Sequence, residues 1–309
     1  MKKSSFLLIA ALCFSLCTSA YAQDQNSLEL PAIPKTLKAP AERADYLLEH
    51  FWDALDAATD NRSADSLFME QTFVNFLSVM PHASAEGRAK GATAMYSKLK
   101  PSDKAKNLIR TLAEEYLYSP ASPMRDENLY VLLLQSDAAT ADDDDASGIR
   151  NRELAKELLK NIPGTQAADF GIELANGATT TLRQVGGIPM LLLIYDPDCH
   201  TCHEAMEALA NDADIQKAIA DGKIAILAVA AETDRELWLT VKDTLPQGWI
   251  SAFDTEGITE AELYYLPEVP GLYLLDGDQR VLDRNIPAAL PSGAANPAIL
   301  TILLGGNNR

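Results

Sequence analysis

The chain has 309 residues, 47% of them hydrophobic, with four cysteines and a formal charge of −18. So acidic a chain disfavours nucleic acid and anionic membrane surfaces as partners. Its length suggests two domains, each with a core large enough to do without disulfide staples.

The first 22 residues read as a targeting segment. Lys2 and Lys3 form a basic n-region, Phe6 to Leu16 an apolar h-region, and Ala20-Tyr21-Ala22 an A-x-A cleavage site. The apolar run is short for a bilayer span, and no later stretch matches it, so no transmembrane anchor is expected. The prediction is export, cleavage after Ala22 and a soluble periplasmic protein. Lipid attachment at Cys17 is disfavoured, because Phe14-Ser15-Leu16 before it suits that processing poorly. Cleavage removes Cys13 and Cys17, leaving Cys199 and Cys202, and the loss of Lys2 and Lys3 brings the charge to −20.

Residues 23–39, polar and bearing Pro31 and Pro34, read as a flexible lead-in. Residues 40–162 read as a helical domain. Leu47, Leu48, Phe51, Trp52 and Leu55 share one helical face, and a second helix carries Phe73, Phe76, Leu77 and Met80 and ends before Pro81. The clearest stripe is Leu108, Ile109, Leu112, Ala113, Tyr116 and Leu117. Shorter helices are predicted over Ser84–Leu99, Asp126–Gln135 and Ile149–Lys160. The aromatic stripes read as the core of a bundle. The acidic run Asp142 to Asp145 lacks the alternation, glycine and terminal glutamate of an EF-hand and reads as a solvated loop.

Residues 163–309 follow a different pattern. Ala168 to Leu174 alternates, Asn176-Gly177 is a hairpin turn signal, and Thr179 to Leu182 can return as a second strand. An apolar run from Pro189 to Tyr195 precedes Asp196-Pro197-Asp198 and then Cys199-His200-Thr201-Cys202. A helix follows to about Asp221, with a break near Asn211–Asp214. Further strands are predicted at Ile224–Val229, Trp249–Phe253, Gly271–Leu275 and Arg280–Leu282. One helix with Leu237, Trp238, Val241 and Leu245 comes between them, and Asn296-Pro297 opens a last one. The order is a hairpin, then β-α-β-α-β-β-α. Two fully apolar strands indicate an α/β sheet covered by helices on both faces.

A buried strand thus delivers a C-x-x-C pair to the first turn of a helix. Unpaired N–H groups and the helix dipole favour an anion there, so a thiol ionises more easily, and the thiolate is the nucleophile of disulfide exchange. Two cysteines this close close too short a loop to serve as a staple. Reactivity explains the pair better.

Residues 163–309 resemble the secreted thioredoxin-like family of the TlpA and ResA type. The matching features are Ala168-Asp169-Phe170, the strand ending in Tyr195-Asp196-Pro197-Asp198-Cys199, the C-x-x-C, and Val269-Pro270-Gly271-Leu272-Tyr273-Leu274-Leu275-Asp276. The preceding helical region is similar to an uncharacterised domain of bacterial envelope proteins. The resemblance implies an α/β thioredoxin fold behind an all-α domain, and a thiol-disulfide oxidoreductase acting on protein thiols and disulfides. By analogy the reductase direction is favoured, with a redox donor protein as second partner and no cofactor. It implies Cys199 as attacking sulfur and Cys202 as resolving sulfur, with His200, Thr201 and Glu204 in support. Pro270 takes the family's cis-proline position, and the Val269 backbone would pair an extended substrate. The chain departs from the family at Asp198, where an aromatic residue is common, and at Gly271, where threonine is. It also has Leu193 where thioredoxin keeps a buried acid.

Three other readings compete. Cys199-His200-Thr201-Cys202-His203 satisfies the c-type haem pattern C-x-x-C-H, with His203 as axial ligand, but no Met or His follows Met206 to supply the usual second ligand. Zinc is poorly served by two cysteines and two histidines on one helical turn. A non-catalytic envelope binding protein, with the C-x-x-C an idle disulfide, is the remaining alternative.

Overall fold

The computed structural model describes residues 27–305 except 232, 256 and 259, so the targeting segment and Cys17 lie outside the described residues. The first half is helical: α1 (Pro40–His50), α2 (Ser66–Val79), α3 (Ala85–Leu99), α4 (Asp103–Ala113), α5 (Glu127–Thr140) and α6 (Ala146–Leu159). Side chains of Asp65, Ser84, Ser102, Asp126 and Asp145 accept backbone N–H bonds at the starts of α2 to α6. Each satisfies donors that a helix start leaves orphaned, about 1 kcal/mol apiece. The acidic run thus ends in a cap, while Asp142 pairs with Lys100 at 2.6 Å. Leu48, Phe51, Trp52, Phe73, Phe76 and Ile109 fill the bundle core, and Leu28 from the lead-in is buried with them.

The stripe through Leu117 was expected to be one helix. Instead α4 stops at Ala113, and residues Glu114–Tyr118 form a π-helical turn. Such a turn rotates the side chains beyond it. Here Tyr118 stacks on Tyr130 and its hydroxyl lies 3.0 Å from that of Tyr265 in the second half of the chain.

Close packing of α3 on α1 rests on Gly91. A Cβ there would lie 2.6 Å from Leu48 Cβ and 3.2 Å from the Leu48 backbone, which cannot yield as a flexible side chain would. Gly91→Ala is expected to cost about 1–3 kcal/mol through overpacking, despite alanine's better helix propensity. Urea unfolding of the two proteins checks this.

The second half contains β1 (Gly171–Leu174), β2 (Thr179–Thr181), α7 (Leu182–Val185), β3 (Met190–Tyr195), α8 (His200–Asn211), α9 (Ala213–Ala220), β4 (Ala225–Ala230), α10 (Arg235–Val241), β5 (Ile250–Asp254), β6 (Gly271–Leu275), β7 (Val281–Arg284) and α11 (Ala298–Gly305). The sheet order is β2-β1-β5-β4-β3-β6-β7. Strands β3, β4 and β5 are parallel and the remaining pairings antiparallel.

Helices covering both faces were expected from the two apolar strands. The apolar residues of α8, α9, α10 and α11 all pack on one face, with Leu191, Leu193, Tyr195, Ile226 and Ala228. Both crossovers, β3 to β4 and β4 to β5, step the same way along the sheet. Right-handed crossovers stepping one way put their helices on one side. The other face is completed by Phe170, Leu182, Ile258 and Tyr264, from α7 and irregular segments.

The two halves meet through a buried ionic network. Arg284, at the end of β7, is 0% exposed, and its Nε donates to Glu127 Oε2 at 2.7 Å. Its Nη2 donates to the Leu158 carbonyl at 2.6 Å and its Nη1 to the Lys160 carbonyl. Arg125 pairs with Asp283 at 2.8 Å, donates to the Arg284 carbonyl and pairs with Glu127. No helix among the described residues is long and apolar enough to cross a membrane.

Candidate active site

Strand β3 is buried along its whole length, so its end is a fixed point. The chain then turns at Asp196, whose carbonyl accepts the Cys199 N–H at 3.1 Å and whose carboxylate accepts the Asp198 N–H. This turn sets Cys199 as the N-cap of α8, where its sulfur accepts the Cys202 N–H at 3.2 Å. The cap position, filled at α2 to α6 and at α9 by aspartate or serine oxygen, is here filled by sulfur, which favours its anionic form.

The two sulfurs differ sharply. Cys199 is partly exposed, whereas Cys202 is 0% exposed, and both are free thiols. Burial works against ionisation of Cys199, but hydrogen bonds from Cys202, Thr201 and the backbone outweigh it and lower its pKa below the ordinary cysteine value. Burial, followed by the hydrogen bond with Cys199, pushes Cys202 up to about 12. Leu193 is fully buried in the helix-covered face, so strand β3 offers no acid at that position. Asp196 acts on Cys202 in two opposing ways, its backbone hydrogen bond lowering the pKa and its charge raising it.

Thr201 joins the sulfur to the substrate-side wall. Its Oγ1 lies 3.0 Å from Cys199 Sγ and 3.3 Å from the Val269 carbonyl, which is itself 3.8 Å from the sulfur. The hydroxyl has one proton, so it can serve the carbonyl while Cys199 is a thiol and turn to the sulfur once a thiolate forms. Thr201→Val is expected to raise the Cys199 pKa, moving the pH profile of its alkylation upward. A profile unmoved by the substitution would deny the hydroxyl this role.

The Val269–Pro270 peptide bond is cis, and the Val269 carbonyl faces the Cys199 sulfur. Gly271 begins β6, and a Cβ there would meet Leu266 Cδ2 at 2.3 Å, the tip of a flexible side chain. His200 is 86% exposed, its Nε2 3.4 Å from Glu204 Oε1. The hydrogen-bond partners of the Cys199 sulfur are instead Thr201, the Cys202 N–H and the Val269 carbonyl. Asp198 is exposed beside them.

His203 Nε2 is 2.8 Å from the Pro197 carbonyl, and a nitrogen donating to a carbonyl has no lone pair for iron. With Cys202 buried as well, the C-x-x-C-H pattern does not present the thiols and imidazole that covalent haem attachment needs. Among the described residues no group of three or more His, Cys, Asp or Glu side chains could hold a metal ion.

A mixed sheet with a C-x-x-C pair at the start of the helix that follows an interior parallel strand defines the thioredoxin class of fold. The family model of a domain of unknown function, DUF5106, matches residues 14–161. A crystal structure of a thioredoxin-like protein from Bacteroides caccae is 31% identical, covering 84% of this chain and 94% of that one, with a TM-score of 0.62. The C-terminal domain of an uncharacterised protein from Bacteroides fragilis is 32% identical, covering 43% of this chain and 94% of that one, with a TM-score of 0.40. The thioredoxin domain of a thiol-disulfide oxidoreductase from Bacteroides vulgatus is 17% identical, covering 40% and 87%, with a TM-score of 0.35. No curated protein matches. The chain belongs to the thioredoxin-like proteins and carries an uncharacterised helical domain ahead of the redox fold.

Proposed function

We propose that this is an exported thiol-disulfide oxidoreductase acting on protein substrates through Cys199 and Cys202. The observation that carries the reading is the asymmetry of the pair: one sulfur is accessible and favoured as thiolate, the other buried and held as thiol. In the reducing direction, Cys199 thiolate attacks a substrate disulfide, forming a mixed disulfide and releasing one substrate sulfur as thiolate. Cys202 loses its proton and attacks Cys199 Sγ. The second substrate sulfur then leaves, and the Cys199–Cys202 disulfide remains. A donor dithiol protein must return two electrons for the next cycle.

The order of steps follows from the charges. The interaction with Cys199 helps hold Cys202 protonated. Once Cys199 is tied up in a mixed disulfide its charge is gone, and Cys202 ionises more easily. The Val269 backbone and Pro270 would align the substrate as an added strand. The targeting segment supports a periplasmic site of action, and residues 40–162 and 163–309 would form the two domains of the mature protein. Reduction of insulin disulfides by the wild type, absent with Cys199→Ser, is the expected result. A wild type inert in this assay, with Cys199 unreactive to alkylation after reduction, would favour an envelope binding protein with an idle C-x-x-C.

A further inference from the structure

Beside the sulfurs lies a groove of about 250 Å³, bounded by Thr201 and Glu204 of α8, by Pro267 to Pro270, by Asn285 to Ala289, and by Pro120. Pro120 comes from the helical region, in the loop between the π-helical turn and α5. That loop is held at both ends against the two strand-side walls. Tyr118 just before it meets the Tyr265 hydroxyl, two residues ahead of Pro267. Arg125 near its end holds Asp283 and the Arg284 carbonyl, immediately ahead of Asn285. Inside the loop, Ser122 Oγ donates to the Tyr116 carbonyl and accepts the Met124 N–H. The helical region therefore sets the spacing of the groove and supplies one wall of it.

The lining describes an occupant. Asn285 lines the groove, while its Nδ2 is closed off from the surface and has no acceptor among the described residues. The charges are one-sided: Glu204 and Glu268 border this groove, and Asp196, Asp198, Asp234 and Glu260 border a larger cleft of about 770 Å³ that also reaches the approach to Cys199. No lysine or arginine lines either space.

Resting on the function proposed above, we infer that the helical region is a substrate-selecting element. With the Pro120 loop it completes a groove for an extended, cysteine-bearing protein segment of small apolar residues flanked by lysine or arginine. The carboxylates around the groove meet the cations of that segment. Complementary charge acts on encounter and on choice of partner.

The test uses the reduced full-length protein with two matched disulfide-bonded peptides, one with lysine and one with glutamate beside the cysteine, and with glutathione disulfide. The lysine peptide is expected to react about tenfold faster or more at low salt, with the preference falling toward unity in 1 M salt, where the Debye length is about 3 Å. Glu268→Lys should cut the preference at least threefold. Pro120→Trp, placed in an exposed loop to fill the groove, should slow both peptides at least fivefold relative to glutathione disulfide. Equal rates for the two peptides, or a Pro120→Trp protein as fast on peptides as the wild type, would overturn the inference while leaving disulfide exchange intact. Failure to react with any of the three disulfides would instead bring down the underlying function and the inference with it.

Discussion

Cys202→Ser should leave substrate proteins covalently attached to Cys199, and Cys199→Ser should lose exchange by about three orders of magnitude or more, as expected for removal of a nucleophile. The populations of the two thiolates decide this. A thiol with a pKa of about 12 is ionised in roughly one molecule in 10⁵ at pH 7, and the higher intrinsic nucleophilicity of such a thiolate recovers only about 30-fold. Cys199, partly exposed and with its pKa lowered, has neither handicap. Limiting iodoacetamide should therefore label Cys199 and spare Cys202 in the reduced protein. Because the Cys199 pKa is lowered, its labelling rate should rise with pH and level off at a lower pH than for a free cysteine. Peptide mapping of the alkylated protein reads the first outcome, and the pH series the second. Equal labelling, or capture on Cys202 in a Cys199→Ser protein, would sink the assigned roles.

Much of this site is visible in the amino-acid order because it is local. An apolar strand, a short acidic turn and two cysteines on the next helical turn all fall between Pro189 and Cys202, and period and spacing read them directly. Thr201 stands in the same stretch, but its bridge to Val269 spans 68 residues, which no local pattern encodes. Pro120, Asn285 and Tyr265 are further out of reach. Each sits in an irregular segment that carries no periodic signal. The single-face packing of α8 to α11 was missed for a related reason, since strand hydrophobicity reports burial on both faces but not what covers each. The π-helical turn after Ala113 continues an unbroken helical stripe, so periodicity could not mark the rotation that sends Tyr118 toward Tyr265.

Arg284 is the residue whose loss should most affect how the two halves hold together. It is a lone arginine at the end of a strand, fully buried, with Glu127 beside it at 2% exposure. Its guanidinium also lies 5.3 Å from the centre of the Tyr265 ring. Arg284→Met would remove the donors serving the Leu158 and Lys160 carbonyls and one cation from Glu127, leaving buried acceptors unpaired. Breaking such a pair costs about 3–5 kcal/mol, more than any exposed pair in this chain can contribute. Glu127→Leu alone should be comparably costly, since it removes the buried carboxylate that both Arg125 and Arg284 meet. The double variant should cost clearly less than the two added together, because an apolar pair in place of a buried ionic one is often near neutral. The tryptophans make the consequence measurable: Trp52 lies in the helical core and Trp238 and Trp249 in the sheet core. In the Arg284→Met protein, denaturant unfolding followed at Trp52 should part from unfolding followed at Trp238, whereas the wild type should show coincident transitions. A variant within about 0.5 kcal/mol of wild type, the range of an ordinary surface change, would mean that the network does not fasten the helices to the sheet. The groove beside Cys199 would then lose the fixed wall that Pro120 supplies.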